Sequence, residues 1–347
     1  MDDILAQDGT PDLPDIPDEE TIRAAIALAI RAPSIHNSQP WLWRIGATSV
    51  HLYADPSRHL PHTDPARRDL LLSCGIALQH LTVALAALGW QTHVHRLPDP
   101  AQPDHLASIE ICGHGGSEQE IALAAAIPRR RTDRRWYSSW PVPGGDVALM
   151  ASRAARSGVV LRRVEFANQL SGIISDAVHR HAEDDNYIAE LSQWSGRYGA
   201  VAGVPARSTP APAAHTQLPA RMFANPRLPQ PRGAHAGDDA GVVLALGTAT
   251  DDALAVLRAG EATGVVLLTA TALGLSSCPL TEPLEIDSTR DAVRSMVLGG
   301  DGFPQMLLRV GWAPLNADPL PATPRRPLSE VLHHLEHLGG ERVTLRG

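Results

Sequence analysis

The first residues that could do chemistry lie in one short turn, at positions 32–41. Ser34 and Asn37 place a hydroxyl and an amide just after an expected helix, where both can hydrogen-bond a ligand. Pro33 stiffens this turn, and Trp41 can anchor it by burial. The same residues would also suit a rigid capping turn around a core tryptophan, so the turn alone leaves both interpretations open.

A second group of such residues is an arginine-rich run. Arg130, Arg131 and Arg134 surround the hydroxyl of Thr132. Guanidinium groups bind phosphate oxygens in pairs, and a neighbouring hydroxyl adds one more hydrogen bond, so the run could hold a phosphate. Taken alone, a run of this kind is more often a solvated basic face.

The composition of the chain narrows the class of protein. Its 347 residues are enough for two domains of about 170 residues each. All 30 basic charges are arginine, and the net charge of −8 argues against a nucleic-acid-binding protein, which needs a broad basic surface. The local arginine clusters at 129–135 and 325–326 suit a small anionic ligand better.

Metal, disulfide and membrane chemistry find little support in the sequence. The three cysteines are odd in number and far apart, which disfavours both a disulfide framework and a zinc site. His333 and His337 have metal-ligand spacing, but no third ligand is evident, so we expect a solvated helix end. The acidic tail at 1–17 has no apolar core of signal-peptide type, and we expect a cytoplasmic protein without a membrane span.

The hydrophobic periodicity predicts an α+β protein. The predicted helices cover 18–31, 69–88, 118–126, 145–156, 168–182, 252–273 and a C-terminal segment from Leu328. The predicted strands cover 43–45, 49–53, 91–96, 108–112, 159–164, 241–246 and 305–310. Proline recurs through 203–237, and a loop of this length is either disordered or a lid over a site.

An internal repeat is the clearest structural signal. Gly75 and Gly89 bracket an apolar helical segment, and Gly260 and Gly274 bracket another with the same spacing. Helices rich in small residues can resemble one another by chance, but a strand pattern follows both copies. This favours a duplication, with two halves that pack through their long helices.

Four segments together resemble the FMN-dependent nitroreductase superfamily, and most of all its Acg-like, two-domain members from actinobacteria. Residues 32–41 match the turn Ala-Pro-Ser-x-x-Asn-x-Gln-Pro-Trp, and residues 130–136 resemble the Arg-Arg-Ser-x-Arg/Lys-x-aromatic motif. Residues 262–280 resemble the long helix and its Gly-Leu-Gly-Ser-Cys-Pro-type turn, and residues 324–331 resemble the terminal basic motif.

The resemblance implies a site for one FMN. The arginine motif would grip the phosphate and the pyrimidine edge, the backbone N–H groups of 280–282 would face the flavin N5 edge, and Arg325 would meet the phosphate. Thr323 stands where the family often has lysine. The implied cofactor contacts are Pro33, Ser34, Ile35, Asn37, Gln39, Arg130, Arg131, Thr132, Arg134, Pro279, Leu280, Thr281, Arg325 and Arg326.

The distribution of the motifs implies a fused dimer. In the family each flavin takes the arginine motif from one subunit and the Pro-Ser turn from the other. The first half, 18–117, has only the turn, and the second half, 118–347, has only the arginine run; its later stretch 155–160 lacks the turn pattern. We therefore expect a monomer with an internal pseudo-dimer, one functional flavin site, and a lid at 203–237.

The implied function is NAD(P)H-dependent, ping-pong reduction of a small electrophile such as a nitroaromatic or a quinone, with no acid or base residue required. Two alternatives share the same site: a flavin-sequestering protein whose lid prevents turnover, and a flavin-dependent dehydrogenase of a specific metabolite. The sequence separates the three poorly. Met222, Phe223 and Leu228 in the lid favour closure, because their side chains could pack on a ring.

Overall fold

The two long apolar helices of the repeat pack against each other at the centre of the protein. A computed structural model describes residues 16–335, except 166, 198 and 214–215. The helices Arg68–Ala87 and Ala253–Ala272 cross where Gly75 meets Gly260. A Cβ added at Gly75 would lie 2.2 Å from the backbone oxygen of Leu257 and 2.9 Å from Cα of Gly260. Only glycine allows this approach of the two backbones.

Helices and strands alternate along the described chain, as expected of an α+β protein. The helices are α1 (Glu19–Ala29), α2 (Arg68–Ala87), α3 (Glu118–Ala126), α4 (Gly144–Ala155), α5 (Ala167–Ala182), α6 (Asp185–Trp194), α7 (Ala253–Ala272), α8 (Asp287–Leu298) and α9 (Leu328–Val331). The strands are β1 (Trp41–Ile45), β2 (Ser49–Ala54), β3 (Trp90–Arg96), β4 (His105–His114), β5 (Val160–Arg163), β6 (Ser195–Arg197), β7 (Val204–Pro205), β8 (Val242–Thr248), β9 (Ser276–Pro279), β10 (Phe303–Gly311) and β11 (Leu332–His334).

Two larger sheets flank the central helix pair. The first has the order β11-β1-β2-β4-β3, and α1 and α2 bury its inner face. The second has the order β5-β8-β10-β9, with α4 and α7 on one face and α5 and α8 on the other. Because both faces of this sheet are covered, every residue of β8 is buried, which explains its continuous apolar sequence. The strands β6 and β7 form a small parallel pair.

Most predicted helices and strands are confirmed, and the differences concern short elements and strands that pair with distant parts of the chain. The carboxylate of Asp18 accepts a hydrogen bond from the N–H of Thr21 at 2.7 Å and caps α1, and α3 has its predicted bounds. The predicted C-terminal helix is wrong beyond Val331, because the chain there becomes β11 and pairs in parallel with β1. Residue His337 of the predicted helix lies outside the described residues.

Five further elements were not predicted from sequence: α6, α8, β6, β7 and β9. The segment 276–279, expected as a turn, is the strand β9, which pairs with β10 at the edge of the second sheet. Helices α6 and α8 are polar over most of their length, so few apolar residues mark them in the sequence; α8 buries only Thr289, Val293 and Leu298.

The helices α2 and α7 are each long and apolar enough to span a membrane. Within the described protein, however, 78% and 72% of their most apolar windows are buried. Core helices of a folded domain pass the same test of length and composition, and the packing of α2 on α7 assigns both helices to the core.

Candidate functional site

The predicted segments meet around one cavity of about 380 Å³. The turn after α1, the arginine run, the chain after β9 and the C-terminal basic segment each contribute part of its wall. The proline-rich segment completes the wall. Eleven of the fourteen sequence-predicted residues line this cavity: Pro33, Ser34, Ile35, Asn37, Arg130, Thr132, Arg134, Pro279, Leu280, Thr281 and Arg325. Residues more than 100 positions apart in sequence thus form a single site.

The turn after α1 is held in a demanding backbone conformation. His36, Asn37 and Gln39 have φ angles of 44°, 54° and 55°, in the left-handed region that residues other than glycine rarely adopt. The hydroxyl of Ser34 accepts the N–H of Gln39 at 2.9 Å, and the hydroxyl of Ser73 accepts the N–H of Ile35 at 3.1 Å. Such strain persists only where the surroundings fix the backbone, which is common at binding sites.

The Asn37 amide holds distant segments together, because both its nitrogen and its oxygen bond protein groups. Its Nδ2 donates to the carbonyl oxygens of Gly203 at 3.1 Å and Pro324 at 3.2 Å, and its Oδ1 accepts from Arg325 at 3.0 Å. The side chain thereby ties the turn to the start of the proline-rich segment and to the C-terminal basic segment. Ser34 is left as the hydroxyl of the turn that can donate into the cavity.

One end of the cavity carries a cluster of buried arginines. Arg130 is 6% exposed, and its Nε and Nη1 atoms have no hydrogen-bond partner among the described residues. Burial, and then repulsion from Arg131 and Arg31, lowers the pKa of Arg130 to about 10. Burial and the same kind of repulsion, led by Arg130, lower the pKa of Arg325 to about 9. Buried guanidinium groups that repel one another, one of them with unpaired nitrogens, favour an anion among them.

Arg325 also determines the shape of the site. Its guanidinium donates to the carbonyl oxygens of Ile30 at 3.0 Å, Arg31 at 2.9 Å and Ala32 at 3.0 Å. These are carbonyl groups at the C-terminal end of α1, which lack partners within the helix. Arg325 therefore caps α1 and aligns the turn while its charge remains at the cavity wall.

The arginine run is fixed beside β9. Thr132 forms a parallel bridge with Ser277, and the N–H of Asp133 donates to the Ser277 carbonyl at 2.9 Å. Asp133 also pairs with Arg135 at 2.9 Å, so Arg135 is neutralised away from the cavity. Arg134 donates to the carbonyl of Ser208 at 3.0 Å, and burial lowers the pKa of its guanidinium.

The chain after β9 supplies backbone donors, but fewer than expected. The N–H of Leu280 donates to the Leu307 carbonyl at 2.8 Å, so it is occupied by β10. Among bonds between described residues, the N–H groups of Thr281 and Glu282 are not used, and both residues line the cavity. Burial raises the pKa of the nearby Cys278 thiol, which makes this thiol a poor nucleophile at neutral pH.

The proline-rich segment forms much of the remaining wall and is anchored by Arg221. This side chain is 8% exposed and pairs with Glu285. It also donates to the hydroxyl of Tyr187 at 2.9 Å and to that of Thr281 at 3.2 Å, and it lies 3.1 Å from Nε2 of His36. The segment is therefore held by buried polar contacts to three other parts of the fold.

Aromatic contacts support the same segment. Phe223 lies under the guanidinium of Arg134, with 4.9 Å from Cζ to the ring centroid, and packs edge-to-face on His36. Burial, with repulsion from Arg221 and Arg134, lowers the pKa of His36 well below its usual value, so this imidazole is neutral. Of the other two predicted lid side chains, Met222 lines the cavity and Leu228 does not.

Three predicted residues stand outside the cavity wall. Gln39 donates to the carbonyl of Val201 at 2.8 Å and accepts the N–H of Arg326 at 2.8 Å. Arg326 pairs with Asp55 at 3.1 Å, deep in the first half. Arg131 lines a small neighbouring cavity with Arg130 and bonds the carbonyl of Pro128 at 2.7 Å. Their side chains bond protein groups, and their direct contact with a cofactor stays a prediction.

Among the wall residues that sequence reasoning missed, three carry polar groups used in the site: His36, Asp69 and Arg221. His36 occupies a variable position of the matched turn, and Arg221 lies in a segment whose composition predicts no structure. Asp69 was visible only as a helix-starting acid. Nothing in their sequence neighbourhood separates them from surface residues, because their environment is created by the tertiary fold.

Comparison with known proteins identifies relatives over nearly the whole chain. No family model matches the sequence. Two proteins of Mycobacterium tuberculosis are both named "Putative NAD(P)H nitroreductase". One is 58% identical over 94% of this chain and 95% of its own length. The other, Acg, is 36% identical over 90% of this chain and 96% of its own length.

Solved structures resemble the fold more distantly. An FMN-bound nitroreductase from Bacteroides fragilis is 13% identical and covers 56% of this chain and 90% of its own, with a TM-score of 0.37. An FMN- and NADPH-dependent nitroreductase from a Sphingopyxis strain is 17% identical over 62% and 99%, with a TM-score of 0.36. At these scores the structures add nothing to the sequence relatives, whose identity and coverage show that the chain belongs to the nitroreductase superfamily, within its Acg-like group.

Proposed function

We propose that this protein binds one FMN in the cavity and transfers electrons from NAD(P)H to a small electrophile. The observation that carries this proposal is the unpaired Arg130 at the buried end of the cavity. An FMN phosphate brings two negative charges to a place where guanidinium groups otherwise repel one another. The relatives' name, NAD(P)H nitroreductase, supplies the class of reductant.

The rest of the cavity fits the flavin. Its volume of about 380 Å³ lies within the usual range for cofactor sites, roughly 300–1,000 Å³. Apolar side chains of Ile35, Leu72 and Ile76 offer a surface for a planar ring. The free N–H groups of Thr281 and Glu282 offer donors for a ring edge. The wall thus combines arginines for a phosphate, apolar side chains for a ring and backbone donors for a ring edge, which are the kinds of group that FMN binding needs.

The chain's own groups have binding and orienting roles in this mechanism. A bound flavin supplies hydride transfer chemistry. Arg130 holds the phosphate, with Arg325 contributing charge and fixing the turn, and Ser34 donates a hydrogen bond from that turn. The proline-rich segment, anchored by Arg221, excludes water from the ring.

We further propose that the architecture is a fused pseudo-dimer, divided into 18–117 and 118–347. The Pro-Ser turn comes from the first part and the arginine run from the second, and both are needed for one site. The contact of Gly75 with Gly260 supports this division, since the repeated helices meet at equivalent positions. The single chain then provides both sides of the flavin site, and we propose that it is a monomer.

A second candidate function is favoured by one observation. Arg221 holds the 203–237 segment closed through buried contacts with Glu285, Tyr187 and Thr281. A nicotinamide must stack on the flavin to deliver hydride, so a lid that never opens would convert the protein into a flavin store without turnover.

An anaerobic stopped-flow experiment separates the two. The FMN-loaded protein is mixed with NADPH or with NADH, and the flavin absorbance is followed. Rapid bleaching supports the oxidoreductase. A flavin that stays oxidised with both nucleotides but bleaches with dithionite supports sequestration. A colourless protein that FMN does not reconstitute contradicts both.

A further inference from the structure

A carboxyl group without a hydrogen-bond partner lies in the cavity wall. Asp69, in the first turn of α2, is 2% exposed and lines the cavity. Both of its carboxyl oxygens lack a hydrogen-bond partner among the described residues. Nη2 of Arg68 forms an ion pair with Oδ1 at 2.7 Å, but without hydrogen-bond geometry. Nη2 donates to the carbonyl of Leu284 at 3.4 Å, and Nη1 donates to that of Gln305 at 2.6 Å.

The Arg68 guanidinium compensates the charge of Asp69 only in part, because two further acids lie nearby. Asp64 accepts the N–H of Leu70 at 2.8 Å, and Glu285 is engaged by Arg221 and by the Thr281 hydroxyl. The charged groups that act on Asp69 from the elements around it are Arg68, Asp64, Glu285 and Arg221.

Desolvation has a larger effect on the pKa of Asp69 than any of these charged groups. Burial raises the pKa of Asp69 to about 7; Arg68 opposes this rise, and Asp64 and Glu285 add to it. The N-terminal end of α2 favours the anion by only about 0.3–1 kcal/mol. A buried carboxylate takes up a proton when the cost of its desolvation exceeds what a single ion pair returns.

We propose that Asp69 is the proton donor of this site, a carboxylic acid that gives its proton to the acceptor when the acceptor takes hydride from reduced flavin. This rests on the proposed function. With a quinone, the hydride carries two electrons and one proton, the Asp69 proton protonates the other oxygen, and a hydroquinone results. The flavin is oxidised, and the Asp69 carboxylate regains a proton from water when the product leaves.

The protonation state is tested first, on the protein without flavin. The infrared carbonyl band of a carboxylic acid is followed from about pH 5 to about pH 9 in the wild type, Asp69→Asn and Asp64→Asn. Asp64 is a matched control, since it is a buried acid at the same end of α2 but outside the cavity wall. Burial also raises the pKa of Asp64, to about 6, so the wild type should show two components of the band. We expect a component with a midpoint near pH 7 that Asp69→Asn abolishes and Asp64→Asn retains, and a component with a midpoint near pH 6 that Asp64→Asn abolishes and Asp69→Asn retains. A wild type without the component near pH 7, or a component near pH 7 that persists in Asp69→Asn, would overturn the proposal.

The donor role is tested with the two half-reactions of the FMN-loaded protein. In Asp69→Asn, reoxidation of the flavin by a quinone should slow by about 100-fold at pH 7 and lose its solvent isotope effect. Flavin reduction by NADPH should change by less than about twofold, because this step needs no proton from the wall. An unchanged reoxidation rate would refute the role of Asp69 and leave the proposed function intact. If NADPH does not reduce the bound flavin, the proposed function is wrong, whatever the infrared band shows.

Discussion

The contact between α2 and α7 gives a prediction whose size follows from the structure. In Gly75→Ala, the new methyl group would lie 2.2 Å from the Leu257 oxygen and 2.9 Å from Cα of Gly260. Both are backbone atoms, so no side chain can rotate away and the two helices must separate. Over-packing of a core costs about 1–3 kcal/mol, and a clash with backbone belongs at the upper end.

Helix propensity acts in the opposite direction. Alanine in a helix interior is favoured over glycine by about 1 kcal/mol. The net destabilisation of Gly75→Ala is therefore about 2 kcal/mol. Gly172→Ala in α5 is the matched control, since a Cβ there meets nothing within 4 Å. The control should gain about 1 kcal/mol from propensity alone.

Equilibrium unfolding in denaturant measures both variants. The account predicts opposite signs and a gap of about 3 kcal/mol in the free energy of unfolding. If Gly75→Ala is as stable as Gly172→Ala, the helices do not meet at Gly75, and the contact that supports the pseudo-dimer is wrong.

Three further predictions concern buried charges. Arg130→Met should weaken FMN binding by roughly 10–100-fold, which corresponds to the loss of one charged hydrogen bond, and should stabilise the apoprotein by removing a buried charge. Arg129→Met, at an exposed position, should change neither property; fluorescence titration measures the binding and thermal unfolding measures the stability. Arg221→Met should cost about 3–5 kcal/mol and expose 203–237 to protease, unlike Arg227→Met at an exposed position of the same segment; equal proteolysis of the two would contradict the anchor. The pKa of Asp69 is about 7 in the folded state and about 4 in the unfolded state, so between these pH values the folded protein binds one more proton than the unfolded chain. The free energy of unfolding should therefore fall as pH rises from about 4 to 7, by up to about 1.4 kcal/mol per pH unit. Asp69→Asn should flatten this dependence in denaturant titrations at each pH, and an equally steep curve would contradict the assigned pKa.

Local patterns account for most of the fold. The acids after Asp18, the apolar stretch around Gly75 and the alternation in β2 are signals contained within one element, and the structure confirms each. By contrast, β11 exists because residues 332–334 pair with Trp43–Ile45 almost 290 positions earlier. No short stretch of the sequence contains both strands. The pattern that begins at Leu328 therefore predicts a helix that continues through these residues.

The residues of the site also fall into those that local sequence predicts and those whose roles depend on tertiary packing. Motif residues such as Ser34 and Arg130 could be placed from sequence, because a turn and an arginine run keep their spacing. The roles of the others depend on packing. Asn37 becomes a clamp because two distant carbonyls lie beside it, and Asp69 becomes reactive only because burial removes its water. Arg221 acquires its role from Glu285, which the sequence places in another element.

Titration of the apoprotein with FMN, followed by the quenching of flavin fluorescence, tests whether the chain holds one flavin site. We expect saturation at one FMN per chain, because the turn at 33–37 and Arg130 together make one complete site. Saturation at two FMN per chain would contradict the single-site pseudo-dimer. An absence of binding would contradict the assignment of the cavity to a flavin.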